Sequence, residues 1–174
     1  METLLRRNIA ATVYVTSGEV GATDRLSVSQ LAELALLPPV EVGAHPVCHR
    51  RLDELAKSEL THEVSASKAA LEDMTQATVC SFAYPHGAYD RRARGAVIVT
   101  YHSAAAVKNA VSHGRDDPFA ISRWTVSAQT SASRIAEVLE GKEVPRGWSR
   151  ERLRTRAYRT VRRHRRRLKN TFGA

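Results

Sequence analysis

The chain has 174 residues, with 27 Lys and Arg, 18 Asp and Glu and only two cysteines. A chain of that length buries about two-thirds of its unfolded surface without staples, which excludes a disulfide scaffold. The formal charge of +9 is carried by one end: residues 145–174 hold 12 Lys and Arg against the single acid Glu151, leaving 15 bases and 17 acids for the other 144 residues, so a uniformly basic nucleic-acid-binding fold is excluded as well.

Residues 1–7 are too few and too charged for the apolar segment of a secretion leader, and no stretch approaches the about 20 apolar residues of a membrane span, so a cytoplasmic product is expected. Leu4 and Leu5, followed by Arg6-Arg7-Asn8, read as the last turn of a helix. Residues 9–16 are β-branched and aromatic and close on Ser17-Gly18, which predicts a buried strand. A helix over 26–37 places Leu31, Leu34 and Leu37 on one side, with Ser27 or Ser29 as cap and Pro38-Pro39 as stop.

A short strand over 40–42 is expected to end at Gly43. Residues 58–74 predict a long amphipathic helix with Leu60, Val64, Ser67, Leu71 and Met74 on one face. The run 78–83 reads as the next strand, in which Cys80, between Val79 and Phe82, is a buried thiol. A helix over 90–100 and strands over 104–107 and 119–126 follow. Ser131 or Ser133 then caps a helix that runs through Leu139 and stops at Gly141. Alternating strands and helices predict an α/β fold with a parallel sheet, open or closed into a barrel, whose chemistry sits at the carboxyl ends of the strands.

Two polar constellations fall at such ends. In His45-Pro46-Val47-Cys48-His49 the imidazoles lie four residues apart, one side of a helical turn, and can converge on one cation if the chain coils after Gly43. The alternative is a loop with two solvated or core-satisfied histidines. Cys48 shares that side as a substitute third ligand or as an inert packed residue. Tyr84-Pro85-His86-Gly87 is the second constellation. His62 reads as solvated on a helix, His102 and His113 as loop residues, and Asp116-Asp117 as a turn before Pro118.

The body, residues 1–144, is thus set apart from an Arg-rich tail, residues 145–174, where Leu153, Ala157, Val161 and Leu168 make a narrow stripe on a basic helix. A solvated extension competes here with contact to an anionic polymer or a membrane surface. Nucleic acid ranks lower, because only the tail supports it.

Gly43-Ala44-His45-Pro46-Val47-Cys48-His49-Arg50-Arg51-Leu52, followed by Ser81-Phe82-Ala83-Tyr84-Pro85-His86-Gly87-Ala88-Tyr89-Asp90, resembles the polysaccharide deacetylase family, the NodB homology domain. Residues 11–16 are similar to that family's second strand. The resemblance spans roughly residues 4–140 and implies an incomplete, distorted (β/α) barrel and a metal-dependent hydrolase that removes acetyl groups from N-acetylated glycans. It assigns His45 and His49 to zinc or a similar divalent ion. It also assigns Tyr84, Pro85, His86 and Gly87 to a groove wall whose backbone N–H stabilises an oxyanion, with His86 where tyrosine is usual, and Trp124 to the groove. The family's first motif, a strand ending in two aspartates that supply the third ligand and the base, would precede Leu5, and Met1 begins after it. The later Leu-x-His motif of the general acid is not apparent, and Ala83 stands where an arginine is usual. No catalytic base or acid is therefore identified, the metal site is expected to be weakened, and the unpaired edge at 9–16 is expected to invite self-association.

Overall fold

In the computed structural model, which describes residues 2–107, 110–112, 114–142, 144, 160 and 161, the expected alternation becomes one five-stranded sheet. The elements run α1 (Glu2–Arg6), β1 (Ala11–Thr16), α2 (Val28–Ala35), β2 (Val40–His45), α3 (Lys57–Thr75), β3 (Ser81–Ala83), α4 (Arg91–Ile98), β4 (Ser103–Val107), β5 (Ile121–Arg123) and α5 (Ala132–Leu139). Local chemistry sets several of these bounds. Ser27 and Gln30 form a reciprocal capping box at the start of α2, Asp90 accepts from the Ala93 N–H at 2.8 Å to open α4, and Ser131 caps α5. Gly141, with φ of 72°, follows the last turn of α5.

All four strand pairings are parallel and the order is β1-β2-β3-β4-β5, with no reversal. A doubly wound sheet reverses its order midway and places helices on both faces. Here the order runs on without reversal and α2, α3 and α4 pack into one core on one face, as in a segment of a (β/α) barrel. The sheet is open, as expected for an incomplete barrel, and β1 forms one edge.

On the helix-covered face, Val15, Val42, Ala44, Phe82, Ala104 and Ala106 pack against Leu31 of α2, Leu60, Val64 and Leu71 of α3 and Val97 of α4. Each large side chain removed from water there stabilises the fold by about 1.5–3 kcal/mol. The buried stripe of α3 also takes in Glu63 and Ser67, and Tyr101 closes it from β4's side by donating to Val64 O at 2.9 Å beside Ser67 Oγ at 3.1 Å. Burial pushes the Tyr101 phenol up to about 12, the Ser67 hydrogen bond opposing. By strand alternation the other sheet face carries Thr12, Tyr14, Glu41, Gly43, His45, Ser81 and Arg123 together with the apolar Ala83, Ala105 and Ile121.

Gly43 corrects the expected boundary, because β2 runs through it to His45. The reason lies in the neighbouring strand. A Cβ at Gly43 would stand 2.6 Å from two ring carbons of Tyr14 and 2.7 Å from Ser81 Oγ, so glycine here lets the Tyr14 ring lie across β2. The strands expected over 78–83 and 119–126 shorten to β3 and β5. Of the tail only Thr160 and Val161 are described, so its apolar stripe and the boundary at 144 lie outside the described residues, as does His113. No helix among the described residues is long and apolar enough to cross a membrane.

Candidate functional site

Parallel strands bring their carboxyl ends to one edge, where His45 ends β2 beside Thr16 of β1 and β3 feeds directly into the 84–87 turn. His45 is not on a helical turn. It is the last residue of the strand, Pro46 beneath it is buried, and the chain reverses at Val47 and Cys48 to carry His49 back. The two imidazole centres lie 4.9 Å apart with planes inclined at 48°.

Three contacts hold this loop. His45 Nδ1 donates to Ala83 O at 2.5 Å, which fixes the tautomer and leaves Nε2, on the far side of the ring, as a lone-pair donor. The Gly18 N–H donates to Val47 O at 3.1 Å, and a Cβ on Gly18 would come within 2.6 Å of that oxygen. The Cys48 N–H donates to Glu63 Oε2 at 2.9 Å. Farther along, Arg51 bridges Asp53 at 3.2 Å and Glu54 at 3.0 Å, pinning the approach to α3.

Burial pushes His45 down to about 4. The Ala83 hydrogen bond pulls the other way, while the positive fields of His49, Arg123 and His86 add to the depression. At neutral pH His45 is therefore the uncharged imidazole that metal ligation requires.

The 84–87 turn stands against the loop. Tyr84 and Pro85 are buried: Tyr84 donates to Phe119 O at 3.1 Å and stacks on Tyr89 at 4.7 Å, so its side chain belongs to the core rather than to a groove surface. His86 and Gly87 face outward in the left-handed region, with φ of 56° and 63°. The His86 ring meets the His49 ring edge-on, their centres 4.9 Å apart. Gly87 N–H and Ala88 N–H are engaged by Tyr84 O and Pro85 O, which leaves the His86 N–H as the turn's donor.

Trp124 is half-buried just after β5, and Arg123 at the end of that strand sits 5.7 Å from the Tyr14 ring centre. Cys48 is exposed with a free thiol, and His62 and His102 are exposed. Asp117 takes a bidentate ion pair from Arg94, both bonds 2.8 Å, and caps the Phe119 N–H at 3.0 Å, in keeping with the expected turn. Among the described residues no group of three or more His, Cys, Asp or Glu side chains could hold a metal ion.

Two residues that shape the site were not singled out from the sequence. Glu63 is 4 % exposed on the buried stripe of α3, three residues after Leu60; an acid at that spacing on an apolar face is the signal that it has an inward partner. Gly18 looked only like a strand terminator, and nothing local to it reveals Val47.

The family profile described as Polysaccharide deacetylase matches residues 1–101. Among solved structures, the chain is similar to a polysaccharide deacetylase from Bacillus cereus at 23% identity and a TM-score of 0.67, covering 74% of this chain and 41% of that one. It is similar to a Streptococcus pyogenes deacetylase in complex with acetate at 19% identity and a TM-score of 0.72, covering 78% and 61%. A CE4 family pseudoenzyme from Bacillus anthracis matches at 18% identity and a TM-score of 0.53, covering 59% and 35%. These identities establish a shared fold, and the chain spans less than two-thirds of each of these structures. No curated protein sequence matches.

Proposed function

The chain belongs to the polysaccharide deacetylase family, and we propose that its strand-end site is that of a metal-dependent hydrolase acting on the amide C–N bond of N-acetylated sugars. The observation that carries this reading is the pairing of His45 and His49, ring centres 4.9 Å apart, with His45 anchored through Nδ1 to Ala83 O. A ring tied back in that way is oriented as ligating histidines are, and two neutral imidazoles suit zinc or a similar divalent ion. When bound, such an ion supplies Lewis acidity for an amide carbonyl and an acidified water near neutral pH.

The rest falls to the chain's own groups. His45 and His49 hold the ion, and the loop contacts from Gly18 and Glu63 keep the pair in register. The His86 N–H, left over when the Gly87 and Ala88 N–H groups bond within the turn, is the main-chain donor that would stabilise a developing oxyanion. Trp124 offers an apolar plane for a sugar ring beyond β5. Among the described residues no carboxylate joins the two histidines, so hydrolysis is impaired and the ion is held weakly. Acetate release from N-acetylated chito-oligosaccharide, with zinc and with chelator, tests the reading: zinc-dependent release supports it, and equal release in both arms refutes it.

A second reading rests on the missing third donor. In it the groove binds glycan without turnover while the Arg-rich tail contacts an anionic polymer or membrane surface. Salt-sensitive retention on an anionic polymer, without acetate release, favours this reading.

A further inference from the structure

We infer that the free edge of β1 is an interface with a second copy of this chain, in which the two β1 strands pair antiparallel about a two-fold axis at Tyr14 and join both sheets into one. The inference is independent of the metal role proposed for His45 and His49.

The edge is open among the described residues. The Ala11 N–H donates to Pro39 O at 2.8 Å, one residue before its register partner Val40, so Ala11 is among the residues that bond toward β2. In a parallel ladder such residues alternate, which turns the N–H and C=O groups of Thr12, Tyr14 and Thr16 away from β2. Among the described residues no backbone group meets them there. A groove of about 260 Å³ runs along this side, lined by Val13, Tyr14, Val15 and Thr16 and walled by Val20 and Leu26. Consecutive strand residues point to opposite faces, so a groove touching four in a row lies on the edge itself.

The sequence of the edge selects a second copy as its occupant. Residues 12–16 read Thr-Val-Tyr-Val-Thr, the same in both directions. Antiparallel pairing about Tyr14 therefore sets Thr12 opposite the partner's Thr16, Val13 opposite the partner's Val15 and Tyr14 opposite the partner's Tyr14. These are matched β-branched and aromatic pairs with no like charges facing each other. Residues 9–16 also hold no charge and no Pro, the devices that keep exposed edges from pairing.

That register leaves no backbone group over. Thr12, Tyr14 and Thr16 become the hydrogen-bonded positions of the ladder, and each pair exchanges two bonds, so every outward N–H and C=O of both strands is satisfied. The ends of the groove are complementary as well. Counting on along the register carries Ile9, which is 45 % exposed, to the end of the partner's groove where Leu26 is 38 % exposed beside Val20. The two-fold axis repeats this apolar contact at the other end.

The test uses the full chain, with mass read by sedimentation equilibrium and register by cysteine cross-linking. The parent should be a dimer at about 100 μM. Thr12→Val keeps the outward N–H and should dimerise like the parent. Thr12→Pro removes that N–H without touching the β2 ladder and should weaken the dimer by about 30-fold or more. Both variants lose the Thr12 hydroxyl bond to Glu41, so their difference isolates the backbone donor; circular dichroism checks that both fold. Register is read in a Cys48→Ser, Cys80→Ser background. Tyr14→Cys brings two thiols to the axis, with Cα atoms about 5.5 Å apart, and should form an intermolecular disulfide. Thr12→Cys leaves its two thiols about 14 Å apart along the strands and should not. A monomeric parent, its edge open or taken by another segment of the chain, would overturn the inference, as would a dimer that Thr12→Pro leaves unchanged. Cross-linking by Thr12→Cys in place of Tyr14→Cys would overturn the axis at Tyr14. Should Thr12→Pro fail to fold, the cysteine pair alone decides, and a Tyr14→Cys chain that forms no disulfide overturns the inference.

Discussion

Removing the Glu63 side chain should loosen the histidine loop from beneath. Glu63 is 4 % exposed, and its Oε2 accepts the Cys48 N–H at 2.9 Å, one residue before His49. In Glu63→Ala the hydrogen bond to an acidic side chain, worth about 1.5–3 kcal/mol net, disappears and the Cys48 N–H loses its acceptor. One buried methylene, Cγ, goes with it, at about 0.8 kcal/mol, although partial collapse of α3 onto the space returns some of that. A loss of about 3 kcal/mol is the expected sum, a large share of the 5–15 kcal/mol that holds an ordinary domain together. For a chain of this size it lowers Tm by about 6–12 °C. Glu63→Gln keeps an acceptor oxygen at the same reach and should lose less than about 1 kcal/mol. Urea unfolding of the three proteins measures the difference, and zinc affinity of each reports whether His49 is still delivered to His45. Glu63→Ala with unchanged stability and unchanged zinc affinity would refute the reasoning, as would equal losses in the Ala and Gln variants.

Gly43→Ala drives a Cβ to 2.6 Å from the Tyr14 ring and should cost about 1–3 kcal/mol; a double-mutant cycle with Tyr14→Ala should show coupling above about 1 kcal/mol, and additivity would show that the ring does not cross Gly43. His45, held near 4 against an ordinary 6.5, takes up its proton in the unfolded chain first. Metal-free protein should therefore keep the full contribution above pH 6.5 and lose it as pH falls toward 4, by about 2 kcal/mol after allowance for partial solvation, with His45→Gln flattening the profile. Tyr101 has the opposite sign: its phenol is pushed up to about 12 from 10, so its contribution is complete below pH 10 and is lost as pH rises toward 12. Tyr101→Phe removes that slope in pH-dependent urea unfolding, at a cost of about 1 kcal/mol near neutrality from the lost bond to Val64 O.

Helices were legible where spacing and caps agree. Ser27 with Gln30, Asp90, Ser131 and the Leu60, Val64, Ser67, Leu71 stripe place α2 to α5 within two or three residues of their expected ends. Strand ends were not, because a strand's limits depend on partners distant in sequence. Gly43 reads as a breaker until Tyr14 is found lying over it, and Thr78 to Cys80 are β-prone but meet no ladder. The same distinction divides the site. His45 and His49 are visible as a motif, and the 84–87 turn as punctuation, since both signals are local. Glu63 and Gly18 act through contacts 15 and 29 residues away in the chain. The ring of His86 was given no part because the resemblance gave its position a main-chain role, and its contact with the His49 ring joins residues 37 apart in the chain. Tyr84, expected as part of the groove wall, turns its side chain into the core against Phe82, Tyr89 and Phe119 O.

The most direct measurement is acetate release from N-acetylated chito-oligosaccharide by the 174-residue chain at saturating zinc, beside His49→Ala, whose side chain is exposed and carries none of the core. Slow release that requires zinc and disappears in His49→Ala is the predicted result. Release that persists in His49→Ala or in chelator would contradict a metal-dependent site built on His45 and His49, and no release above background would contradict hydrolysis by this chain.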